Sequence, residues 1–89
     1  MEDLNFFHRP AKILAYLSSR KEDHNITKLA KIFQAYQGNM AKCIKKLEKM
    51  KLVKKVPGKN KREINIILTK MGRKIGEDIL RIKEKIKIG

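Results

Sequence analysis

At 89 residues, the chain can bury one modest hydrophobic core but not two, and its 42% apolar content sets it apart from highly charged disordered segments. Twenty-three Lys and Arg against nine Asp and Glu leave a net charge of +14, an excess that suits a polyanionic partner. A single cysteine, Cys43, excludes an internal disulfide and a metal-thiolate cluster, and no apolar run approaches the roughly 18 residues of a membrane span.

Taken in chain order, Pro10 suits the first turn of a helix, where its missing N–H costs nothing, and Ile13, Leu14 and Leu17 mark one apolar side through Ser19. The polar run SSRKEDHN, residues 18 to 25, reads as a connection, with His24 an ordinary loop or surface residue like His8. Ile26, Leu29, Ala30 and Phe33 follow at helical spacing, with Thr27 expected as the N-cap. The stretch QAYQGN breaks that pattern, and Met40, Ile44 and Leu47 open a second periodic run toward Met50 and Lys51. Two helices so closely joined, the second rich in lysine, match a helix-turn-helix.

The segments LVKKV and REINIIL then read as strands around a turn. In the second, Ile64, Ile66 and Leu68 alternate with Glu63 and Asn65, and Ile67 interrupts the pattern. Thr69 is expected to cap a last helix reaching about residue 87, along which Ile75, Ile79, Ile82 and Ile86 form a heptad-like seam. The order helix, helix, helix, strand, turn, strand, helix predicts one α+β domain over residues 1–89, mainly helical. Charge is unevenly spread along it. Residues 42 to 74 hold 13 Lys and Arg against Glu48 and Glu63, which is +11 of the total +14. The acidic start MEDLNFFHRP is unlike a signal peptide, so a cytoplasmic protein is expected.

From Ile26 to about residue 80 the chain resembles a winged helix-turn-helix of the MarR kind. The resemblance rests on ITKLA at the start of the positioning helix, KKLEKMKLVKKV from recognition helix to wing, and ILTKMGRKI from wing to final helix. Gln34 stands where that family's turn often has Gly, Tyr36 where Ser or Thr often caps, and Asn60 where an acid is common at the wing tip. The resemblance implies a three-helix core with a two-stranded wing over residues 52–68, within a core of about 10–68. It also implies a dimerisation helix over 69–88.

On that frame the expected partner is double-stranded DNA. Gln37, Asn39 and Lys42 carry groups suited to base edges, with Gly38 and Ala41 permitting close approach. Lys45, Lys46 and Lys49 suit phosphates, as do Lys54, Lys55, Lys59, Asn60, Lys61 and Arg62 of the wing. A homodimer is expected through Ile75, Ile79, Ile82 and Ile86, with Phe6 and Phe7 contributing. Cys43 reads as a small buried hydrophobe, and a redox role would require its lysine neighbours to lower its pKa. The sequence holds no nucleophile–base pair, phosphate-cradling loop or paired carboxylates. No catalytic residue, cofactor or metal is therefore expected, and the sequence does not specify a small-molecule effector. Two other readings of the charge are an RNA-binding or ribosome-associated protein and a non-specific architectural DNA-binding protein.

Overall fold

The computed structural model describes residues 9–60 and 62–86. Within them, helices and strands follow one another as α1 (Arg9–Ser18), β1 (His24–Asn25), α2 (Ile26–Ile32), α3 (Gln37–Lys49), β2 (Val53–Pro57), β3 (Ile64–Leu68) and α4 (Lys70–Lys85). The strands form one antiparallel sheet in the order β1-β3-β2, so β3 is paired on both sides. This is the mainly helical α+β winged helix that the sequence predicts, with a third short strand added to the two of the wing.

The core follows from helical periodicity. Ile13, Leu14 and Leu17 of α1, Leu29 and Ala30 of α2, and Met40, Ile44 and Leu47 of α3 meet Leu52, Val53 and Ile66 at the sheet. Each fully buried aliphatic chain contributes about 1.5–3 kcal/mol of transfer free energy, the main force setting α2 against α3. Both of those helices end in the same way. Gln34 and Lys51 take left-handed φ values of 52° and 62°. The next amide in each case, Ala35 or Leu52, bonds a carbonyl five residues back, that of Ala30 or Leu47. These are Schellman ends built without glycine, and they fix the exit angles of α2 and α3.

Three expectations are corrected here. His24 is no loop residue: it is 2% exposed and pairs with Ile66 in β1. Its Nε2 lies 3.1 Å from the Tyr16 hydroxyl oxygen, which ties α1 to the sheet. The N-cap of α2 is Asn25, whose Oδ1 accepts from the Lys28 amide at 2.8 Å, and not Thr27. In β3 the alternation reverses at its start, where Asn65 is buried and Ile64 exposed. Asn65 lies between Asn25 of β1 and Val56 of β2, whereas Ile64 pairs with Pro57 near the wing tip, beyond the core. Thr69 does cap α4, accepting from the Gly72 amide at 3.0 Å.

Two glycines set the position of α4. A Cβ on Gly72 would sit 1.8 Å from the Leu52 carbonyl oxygen, and one on Gly76 would sit 2.6 Å from that of Leu14. Backbone-close packing therefore places α4 against both α1 and the root of the wing. Neither glycine stands out in the sequence as a contact residue.

Candidate nucleic-acid interface

Helix α3 buries Met40, Ile44 and Leu47 and turns the opposite side outward. Gln37, Gly38, Asn39, Lys42, Lys45 and Lys49 are exposed, or nearly so, while Ala41 and Lys46 are half-buried. The helix contains a single acid, Glu48, whose Oε1 is 3.8 Å from Lys55 Nζ of β2. Among the described residues, Lys55 is the one cation of α3 and the wing that has a carboxylate within 4.0 Å. The outward side of α3 is thus an uncompensated positive surface.

The leading end of α3 is held by one polar contact. Gln37 Nε2 donates to Thr27 Oγ1 at 2.9 Å, which ties the amide to α2 and fixes its direction. Tyr36 occupies the N-cap position in an extended backbone conformation with no side-chain capping bond. The first-turn amides of α3 therefore lack the side-chain acceptor that Asn25 and Thr69 give to α2 and α4.

The wing is a tight hairpin closed by the Gly58 amide donating to the Glu63 carbonyl at 2.7 Å, with the Glu63 amide donating to the Asn60 carbonyl at 3.0 Å. Lys54, Lys55, Lys59, Asn60 and Arg62 are exposed on it. Lys61 lies outside the described residues, as do Phe6, Phe7 and His8. Lys70, Arg73 and Lys74, all exposed at the start of α4, extend the positive surface beyond the wing root. They fall inside the charge-dense stretch from 42 to 74, which is their signal in the sequence, but helical spacing alone does not bring them beside the wing.

The isoleucine seam divides. Ile75 and Ile79 pack against the molecule's own core. Ile82 and Ile86 are 57% and 67% exposed, and with Ala11, Lys12, Ile79 and Lys83 they line an apolar groove between α1 and α4. Cys43 is half-buried rather than buried, and burial pushes its thiol pKa up despite the opposing charges of Arg9 and Lys46. That outcome is opposite to the lowering a redox role requires. Among the described residues, no group of three or more His, Cys, Asp or Glu could hold a metal, and no helix is long and apolar enough to cross a membrane.

Comparison with solved structures gives the same fold. The S. aureus MepR–DNA complex superposes with a TM-score of 0.82 at 23% identity, covering 96% of this chain and 70% of that one. The heme sensor protein PefR from Streptococcus agalactiae, in complex with heme, gives 0.78 at 22%, covering 89% and 56%. A Lactococcus lactis ZitR variant gives 0.76 at 22%, covering 84% and 51%. The chain thus spans from about half to 70% of the length of these structures. No curated protein sequence matches it. A family model described as a winged helix DNA-binding domain matches residues 9–72, most of the chain, and the protein belongs to that family.

Proposed function

We propose that the protein is a MarR-like transcription regulator that binds double-stranded DNA sequence-specifically as a homodimer. In this reading α3 enters the major groove and the wing follows the backbone or an adjoining minor groove. One observation carries it: α3 buries its apolar side and presents amide and lysine side chains outward, with its single acid drawn aside to Lys55. Asn39 and Lys42 near the helix start suit base edges, and Lys45, Lys46 and Lys49 suit phosphates. Lys54, Lys59, Lys61 and Arg62 extend phosphate contact along the wing.

The MepR structures support the reading, since one holds DNA and MepR is a transcription regulator of a multidrug efflux pump. The homodimer rests on α4, whose exposed Ile82 and Ile86 continue the groove against α1. A two-fold pair would place two copies of α3 on successive turns of one DNA face.

The test is selection of binding duplexes from a randomised pool by the purified protein, followed by cleavage protection of the selected sequences. An inverted repeat with half-sites one turn or a multiple apart is expected. Enrichment of no motif, with binding that depends on salt alone, would replace the reading with a non-specific one.

A further inference from the structure

We infer that Tyr36 is a specificity-determining residue, its ring contacting a thymine methyl from the leading end of α3; the inference rests on the DNA-binding reading above. Scattered exposed hydrophobics are ordinary on protein surfaces, so exposure alone decides nothing. Tyr36 is nevertheless 83% exposed, more than any other large hydrophobic described. Its position is what separates it from the rest.

Tyr36 occupies the N-cap of α3, where Ser, Thr, Asn or Asp would satisfy a free amide. Both α2 and α4 have such a side-chain cap, from Asn25 and Thr69. Of these three helices, the one expected to face DNA is the one whose cap is replaced by an aromatic. The ring belongs neither to the described core nor to the partly buried hydrophobics packed against it. In the free protein this choice sacrifices helix stability for no visible return.

The neighbouring residue strengthens the case. Gln37, the first residue of α3, has its Nε2 committed to Thr27 Oγ1. That bond leaves Gln37 less free to read a base and holds the backbone beside Tyr36 in one orientation. Gly38, the next residue, has nothing within 4 Å of where a Cβ would be, so no side chain crowds the helix start at that position. An exposed ring at the uncapped start of a helix that turns Lys42, Lys45 and Lys49 outward can reach the major-groove edge. There the C5 methyl of thymine is the apolar feature an aromatic can recognise. Tyrosine loses little side-chain entropy on contact, which suits such an anchor.

The experiment selects duplexes from a randomised pool with the full chain and with Tyr36→Phe, Tyr36→Ala and Tyr36→Ser. The expected result is a motif for the unaltered protein that is retained by Tyr36→Phe. Tyr36→Ala and Tyr36→Ser should lose preference at one thymine position, with roughly fivefold weaker binding to the parent motif. Placing deoxyuridine at that position should weaken the unaltered protein by about threefold and leave Tyr36→Ser unchanged. Tyr36→Ser should also melt at a higher temperature, because it restores a cap, so reduced selectivity cannot be blamed on failed folding. If all four proteins select one motif with equal affinity, the inference falls and the proposed function stands. If the Ala and Ser variants weaken equally on every duplex, Tyr36 touches phosphate and the inference falls. If the unaltered protein selects no motif, both fall together.

Discussion

Thr69 joins the end of α3 to the start of α4: its hydroxyl donates to the Lys51 carbonyl at 2.7 Å and accepts from the Gly72 amide at 3.0 Å. Its own amide donates to the Leu52 carbonyl at 3.1 Å. One side chain therefore caps a helix and pins the left-handed residue that ends another. Thr69→Ala should cost about 1–2 kcal/mol, the range for removing a cap together with a hydrogen bond. Thr69→Ser should retain most of the stability. Thermal melts of the three proteins compare them directly, with each kcal/mol shifting the midpoint by about 4–8 °C in a domain of this size.

Gly72 and Gly38 should respond in opposite ways to the same change. Gly72→Ala forces a methyl against the Leu52 carbonyl, so α4 must shift, at a cost of about 2–3 kcal/mol or more. Gly38 has open space around it, and Gly38→Ala should stabilise α3 by up to about 0.5–1 kcal/mol. If α3 approaches bases closely at this residue, the same change weakens DNA binding while the melting temperature rises. A Gly72→Ala protein as stable as the parent would refute the packing described for α4.

The isoleucine seam should split into two classes. Ile75→Glu and Ile79→Glu place a charge against the core and should unfold the chain. Ile82→Glu and Ile86→Glu alter exposed positions and should leave a folded protein. Sedimentation should then report a dimer for the parent and a monomer for the Ile82→Glu, Ile86→Glu double variant. A parent that sediments as a folded monomer at micromolar concentration would rule out the proposed dimer.

The cations should separate by function. Asn39→Ala or Lys42→Ala should cost about 1–3 kcal/mol on a selected duplex and little on random DNA. Lys46→Ala or Lys49→Ala should weaken both alike. At the wing, changing Lys59 and Arg62 together to Ala should flatten the log–log salt dependence by about 0.9 for each phosphate that is no longer neutralised. The fold should survive, since both residues are exposed on a hairpin closed by backbone bonds. An unaltered slope would make the wing a solvated hairpin.

The long elements are legible in the sequence because burial there is periodic. Met40, Ile44 and Leu47 announce α3 and its outward lysines as clearly as Ile13, Leu14 and Leu17 announce α1. Strand β1 is not legible, because two residues show no alternation and its partner is far along the chain. Asn25 is hidden as a cap by Thr27, another residue of capping type, whose hydroxyl instead accepts from Gln37. The reversed faces of Ile64 and Asn65 depend on where the sheet leaves the core, which alternation cannot report. The outward placement of the α3 and wing cations is readable from spacing. That Glu48 reaches Lys55, and Gln37 reaches Thr27, depends on how separate elements meet in three dimensions.

The pairing of His24 with Ile66 has a kinetic consequence. The β2–β3 hairpin is local, whereas pairing β1 with β3 closes a loop of about forty residues that contains α2 and α3, so β1 is expected to join the sheet after them. Because Asn25 both pairs with Asn65 and caps α2, the start of α2 and the centre of the sheet should open and close as one unit. Native-state hydrogen exchange should find the amides linking β1 to β3 sharing a single opening free energy with the first turn of α2, distinct from the more easily frayed wing tip.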